Sequence, residues 1–217
     1  MILCLLAALS LLQPATDSVS LRAVVSDAKK APLRDLEASD VSLSEGGVTR
    51  ELTRFELDER PARVALLIDS SQPMGAPYRA QFLVAAKAFI SALPSNTRVS
   101  VWTAGDRPVK VIDDLSLDQD GASREIESRL RRTAPVGGNR ILDALVEASE
   151  DLEKKEGERK IIVFISGIGA GFANDNRQGI LDRVSRRNVE VSGVLVTDPG
   201  EATEGSEIGL QDYDYVF

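Results

Sequence analysis

Chemistry needs side chains that titrate, ligate or attack, and this chain holds few of them. It has no histidine, so the commonest general base and the commonest transition-metal ligand are both missing. Its single cysteine, Cys4, lies in an apolar N-terminal run. Without that run no thiol remains for disulfides, thiolate catalysis or cysteine-ligated metal. What is left is oxygen and guanidinium chemistry at three places: Asp69-Ser70-Ser71-Gln72-Pro73-Met74-Gly75, Gly137-Gly138-Asn139-Arg140 and Ser166-Gly167. Ser70 or Ser71 beside Asp69 suggests a hydrolase as one reading, yet neither hydroxyl has a histidine or a credible lysine base to activate it. Arg140 can hold a partner's carboxylate through paired hydrogen bonds, or simply pair with a neighbouring acid. Gly167-Ile168-Gly169-Ala170-Gly171 follows an apolar run as a nucleotide loop would. It fails the dinucleotide spacing because Phe172 stands where the third glycine belongs, and no P-loop lysine motif occurs.

These loops need elements to position them, and the hydrophobic pattern supplies them. Val64 to Ile68 is an unbroken apolar run ending in Asp69, the mark of a strand buried on both faces of a parallel sheet. A loop from Ser70 to Pro77 leads to a helix reaching Leu93, with Phe82, Leu83, Ala86, Phe89 and Ile90 at helical spacing and Pro94 as its stop. Val99–Trp102 and Val109–Ile112 read as strands so close in sequence that a hairpin or edge pair is expected. Trp102, the only tryptophan, is expected in the core rather than as a ligand platform. Helices are predicted over Ser123–Arg132, from Ile141 to Leu152 and over Asn176–Arg187, with strands at Lys160–Ser166 and Val189–Val196. Buried strands alternating with amphipathic helices predict an α/β fold, a doubly wound and mostly parallel sheet over residues 62–197. Ahead of it, residues 18–60 read as a small β-rich unit of about three strands. There Val19, Leu21, Ala23 and Val25 alternate as in a half-buried strand, and Glu45-Gly46-Gly47 makes a turn.

Composition narrows the function further. A hydrophobic share of 43% is that of a folded protein, and aromatics at 5% leave the core to Val, Ile, Leu and Ala. A net charge of −8 argues against nucleic acid, which needs clustered positive charge. The apolar run from Met1 to Leu12, followed by Gln13-Pro14-Ala15, is too short to span a bilayer and suits a signal-peptide core, although no Lys or Arg precedes it. Residues 1–15 are therefore expected to be removed on export to the periplasm or the cell exterior, leaving no integral membrane segment. Residues 198–217 carry acids from Asp198 to Asp214 and no Lys or Arg, the composition of a solvated tail.

In open α/β sheets ligands bind beyond the carboxyl ends of the strands. The three loops expected there are those after Asp69, before Ile141 and after Ser166. Taken together, Leu66-Leu67-Ile68-Asp69-Ser70-Ser71 with Met74, Gly137-Gly138-Asn139 before Leu142-Asp143-Ala144-Leu145, and Val163-Phe164-Ile165-Ser166-Gly167 resemble the von Willebrand factor type A (VWFA) family. The N-terminal stretch is similar to the leader of a bacterial exported subgroup of that family. The resemblance implies a Rossmann-like fold, a binding role without catalysis, and a metal-ion-dependent adhesion site for a hard cation such as Mg²⁺. Transferred position by position, it makes Asp69 and Ser71 the first two ligands and puts Asn139 at a threonine position. Pro73 falls where a serine is expected, and Gly167 where an aspartate is. Too little anionic oxygen then remains for stable Mg²⁺ binding, so no cofactor is expected. The expected function is metal-independent binding of a protein partner by a surface including Asp69, Ser70, Ser71, Asn139, Arg140 and Gly167. A metal-dependent alternative needs Asp175 or Asp106 to supply the missing carboxylate.

Overall fold

The structure is a computed structural model and describes residues 19–196 apart from 24, 30, 32, 76–80, 116–118, 157, 168–172 and 175. The expected leader, the acidic tail and most of the glycine-rich stretch after Gly167 lie outside the described residues. The chain divides into two compact units, Met1–Asp58 and Glu59–Phe217.

In the first unit, β1 (Leu43–Glu45) and β2 (Val48–Arg50) form an antiparallel hairpin. Gly46 and Gly47 turn it with φ of +57° and +81°, the pair of left-handed residues that a twisted two-residue hairpin turn demands. The break at Ala28–Pro32 is held by the Asp27 carboxylate, whose Oδ1 accepts from the Lys29 and Ala31 N–H groups at 2.8 Å each. Two expectations fail in this unit. None of the described residues from Val19 to Val25 lies in a strand; Ser26 just beyond makes a bridge, and Val19 and Leu21 are 81% and 67% exposed. Nor does a third strand form beyond Arg50, where Phe55 and Leu57 are exposed. Alternating residues create an apolar side, but a strand also needs a neighbour for its N–H and C=O groups.

The second unit is the α/β domain. Its strands are β3 (Ala62–Asp69), β4 (Arg98–Ala104), β5 (Pro108–Leu115), β6 (Arg159–Gly167) and β7 (Glu190–Val196). They lie in the order β5-β4-β3-β6-β7, parallel except for β4 with β5. Only Gly105–Arg107 joins β4 to β5, far too short for a parallel crossover, so the expected hairpin forms. The described helices are α1 (Leu83–Ala92), α2 (Gln119–Arg132), α3 (Ile141–Glu153) and α4 (Arg177–Ser185).

β3 sits at the centre and has a core on each side, which is why its run is apolar without interruption. Val64, Leu66 and Ile68 pack with Phe82, Ala86 and Ile90 around α1 and with Ile126 and Leu130 of α2. Ala65 and Leu67 pack on the other face with Leu142 and Leu145 of α3 and Ile180 and Val184 of α4. Each fully buried Leu or Ile contributes about 1.5–3 kcal/mol, so the β3 run anchors both layers. Trp102 belongs to this second core: its indole N–H donates to Ser100 Oγ at 3.1 Å, and Lys110 Nζ lies 5.1 Å from the ring centroid. The chain runs outward from β3 to β4 and β5, then returns to β6 and β7 on the other side. The order reverses beside β3, so the ends of β3, β4 and β6 frame one crevice mouth.

A cross-strand contact on β7 gives a test of this register. Gly193 lies opposite Phe164, and a Cβ on Gly193 would meet the Phe164 ring at 2.0 Å. Intrinsic strand propensity favours Gly193→Val, whereas the crowded ring opposes it. We expect Gly193→Val to lower stability by about 1–3 kcal/mol through overpacking, read as a fall in the urea midpoint. Ser192→Val, on the exposed side, should leave the midpoint unchanged or raise it. A rise for Gly193→Val would show that the ring does not cover that position.

Candidate functional site at the strand ends

The loops singled out by their residue types do converge. The Ser70 N–H donates to the Ala104 carbonyl at 3.2 Å, tying the β3 loop to the end of β4. The Val136 N–H donates to the Ser70 carbonyl at 2.8 Å, and the Gln72 N–H to the Gly137 carbonyl at 3.0 Å, tying it to the loop before α3. Two glycines permit these close approaches. A Cβ on Gly105 would come within 2.5 Å of the Val136 carbonyl oxygen, and one on Gly137, at φ +71°, within 2.5 Å of Asp106 Cα. Side chains larger than hydrogen would push the rim apart at both positions.

At the centre is Asp69, fully buried as the last residue of β3. Its Oδ1 accepts from the Ser71 N–H at 2.9 Å. Its Oδ2 accepts from Asn139 Nδ2 at 2.9 Å and from the Ser166 hydroxyl at 2.7 Å. Asn139 Nδ2 also donates to Ser166 Oγ at 3.0 Å, and Asn139 Oδ1 accepts from the Ile141 N–H at 3.0 Å, capping α3 at its start. The network thus joins β3, β6 and α3. Burial pushes the Asp69 carboxyl above its ordinary value; hydrogen bonding from Ser71, Ser166 and the Gly167 backbone opposes that shift without cancelling it.

The other expected residues lie as follows. Ser70 is buried, and its backbone is bonded on both sides. The Ser71 hydroxyl is buried near the Asp69 carboxyl, where it favours the charged form, yet its oxygen has no hydrogen-bond partner among the described residues. The group beside it is the Asp69 carboxylate, whose oxygens also accept from the Ser71 N–H, Asn139 and Ser166. Arg140 is half-buried and committed, with Nη1 donating to Asp143 Oδ2 at 3.2 Å and to Asn174 Oδ1 at 3.3 Å. The neighbouring-acid role therefore occupies this arginine. Asp106 is exposed in the β4–β5 turn, and Asp175 lies outside the described residues.

Two residues of the loops named in the sequence were given no role of their own there. Ser166 closes the Asp69 network, and its only signal was a hydroxyl ending an apolar strand. Met74 lies against Gly167: a Cβ there would meet the thioether sulfur at 2.2 Å, so the space a longer side chain would fill already holds sulfur. These contacts decide how well a hard cation fits. Such an ion takes about six oxygen donors and prefers anionic ones. Both Asp69 oxygens and the Asn139 oxygen are engaged in hydrogen bonds, Pro73 has no side-chain oxygen, and Met74 brings a soft sulfur beside Gly167. No cluster of three metal-ligating His, Cys, Asp or Glu side chains occurs among the described residues. As arranged, the residues present do not fit the ion.

Comparison with known proteins accords with this fold. No curated protein matches by sequence. Among solved structures, the chain is similar to the manganese-loaded TRAP protein of Plasmodium vivax, at 16% identity and a TM-score of 0.53, over 70% of this chain and 62% of that one. It is similar to the pilus adhesin SpaC of Lactobacillus rhamnosus GG in its open conformation, at 14% identity and a TM-score of 0.54, over 74% and 27%. It is also similar to an aerotolerance-related membrane protein of Bacteroides fragilis, at 16% identity and a TM-score of 0.51, over 71% and 88%. The chain thus spans less than two thirds of the first two relatives, and identities at this level speak for the fold. The von Willebrand factor type A domain model matches residues 64–217, which is most of the chain and includes every strand of the five-stranded sheet but the first two residues of β3. On that match and the strand order, this chain belongs to the von Willebrand factor type A domain family.

Proposed function

We propose that this protein is an exported, non-catalytic recognition module whose strand-end rim binds a protein partner without a metal ion, in the manner of a bacterial exported VWFA domain with a degenerate metal site. The observation that carries the reading is the state of Asp69. The carboxylate that would anchor a cation is instead the acceptor at the centre of a protein network, with Ser71, Asn139 and Ser166 as donors. Family membership and the pilus adhesin among the similar structures support protein binding as the general role. The leader-like run at residues 1–15 supports export, and no described helix is long and apolar enough to cross a membrane.

Titration calorimetry of the full chain with Mg²⁺ and Mn²⁺ tests the metal-independent reading. We expect no saturable heat and no change in melting temperature. Micromolar binding that disappears in Asp69→Asn would overturn the reading in favour of metal-dependent adhesion. Export is tested by producing the complete reading frame in a bacterial host and sequencing the N-terminus. A mature chain starting after Ala15 in the periplasm or medium is expected, and a cytosolic chain retaining Met1 refutes it.

The buried carboxylate also predicts a pH dependence of defined sign. Its pKa is higher folded than unfolded, so the folded state holds more protons between those two values. Stability then falls as pH rises through that window. Above the ordinary carboxylate range the wild type should therefore lose stability that Asp69→Asn, whatever its own baseline, does not lose. Urea midpoints measured against pH for both proteins give the difference. Asp113 and Glu127, held below their ordinary values chiefly by hydrogen bonds from Lys110 and Lys87, contribute the opposite slope equally to both. Parallel curves would show that Asp69 is ionised at no cost.

A further inference from the structure

With Arg140 committed to Asp143 and Asn174, Arg107 is an uncommitted cation at the rim among the described residues. It stands in the short turn Gly105–Arg107 between β4 and β5, is exposed, and has no hydrogen-bond or ion-pair partner among the described residues. Other arginines of this unit find carboxylates: Arg63 with Glu158, Arg98 with Asp114, Arg183 and Arg187 with Glu150. In a chain with 34 acidic and 26 basic residues, an unpaired arginine stands where the described part of its fold brings no acid into contact with it. Asp106, its neighbour in sequence, forms no ion pair with it. Arg124 and Arg132 also lack a partner among the described residues, but both stand on α2, Arg132 in its last turn, where the helix dipole stabilises a cation in any case.

Arg107 stands on a tightly joined surface that also carries apolar side chains. Its turn is pressed onto the loop before α3 through the Gly105–Val136 and Gly137–Asp106 approaches. On that loop Val136 is 55% exposed while its own N–H is bonded to Ser70. The bond from Gln72 to Gly137 brings exposed Pro73 to the same surface. One patch therefore offers two exposed apolar side chains and a guanidinium without a partner among the described residues. The net charge of −8 gives no long-range attraction for an acidic partner, so any preference for acid must arise locally.

We propose that the patch of Pro73, Val136 and Arg107 docks a protein segment presenting a carboxylate next to an apolar side chain. The proposal rests on the reading of the rim as the partner-binding surface and gives that surface a partner chemistry. The guanidinium takes the carboxylate in a bidentate pair, and the flanking apolar contacts exclude water from it.

A phage-displayed random heptapeptide library, panned on the full chain in the presence of a chelator, tests it. Enriched sequences should carry Asp or Glu beside Leu, Ile, Val or Phe. A synthetic peptide of the enriched sequence should bind Arg107→Ala roughly tenfold more weakly, the worth of a charged hydrogen-bonded pair. Amidating the peptide's acid should cost the wild type about as much, and Arg98→Ala, at the opposite end of β4, should change little. Asp106→Asn should strengthen binding by removing a like charge. No enrichment, no acid preference, or equal affinity for Arg107→Ala overturns the proposal. Enrichment in chelator that is insensitive to Arg107 sinks this inference alone, whereas enrichment only in Mg²⁺ sinks the metal-independent reading on which it stands.

Discussion

Everything at the rim follows from one constraint: Asp69 ends the central strand with a carboxylate that no water reaches. A buried charge must be met by hydrogen bonds or it is unaffordable. The donors that meet it come from three separate segments, the Ser71 backbone, Asn139 before α3 and Ser166 at the end of β6. Satisfying one side chain thereby fixes the relative positions of β3, β6 and the start of α3. The backbone bonds from Ser70 and Gln72 then lock the outer loops onto that centre. The same commitments engage both Asp69 oxygens and the Asn139 oxygen, though not Ser71 Oγ, so structural order and metal coordination would compete for those three atoms.

The fold was legible because its strongest signals are long-range burial written locally. Val64–Ile68 and Ile161–Ile165 are apolar without a break because helices cover both faces of the strands they form. The hairpin of β4 and β5 was legible from a connection too short for any alternative. Where the β reading failed, at Val19–Val25, the pattern recorded a possible face but could not supply the strand to pair with it. That information lies in contacts, not in composition.

At the site, residue type foretold which atoms would meet but not what they would do. Asp69, Ser71 and Asn139 come together as expected, yet Asn139 turns its amide nitrogen toward the carboxylate and spends its oxygen on Ile141. An amide's orientation depends on its neighbours, and Ser166 was read as part of a strand. Arg140 was the more conspicuous arginine, but Asp143 three residues on shares its face of the α3 start and captures it. Arg107 carried no motif at all. Its interest comes from the absence of a partner, which only the folded arrangement can reveal.

Asp69 therefore needs no metal to explain why it is aspartate. Three donors converge on its two oxygens, and a carboxylate accepts from all of them without presenting a hydrogen of its own. An asparagine in its place has one oxygen, and whichever way its amide turns, an N–H₂ group would face a donor: the Ser71 backbone on one side, or Asn139 on the other. Ser166 could rotate its hydroxyl to accept, but the Ser71 N–H and the Asn139 amide, held by its bond to Ile141, have no such freedom. The donor set alone selects the carboxylate, and it does so at the cost of keeping a charge out of water. The geometry of its neighbours is thus enough by itself to require an aspartate at this position.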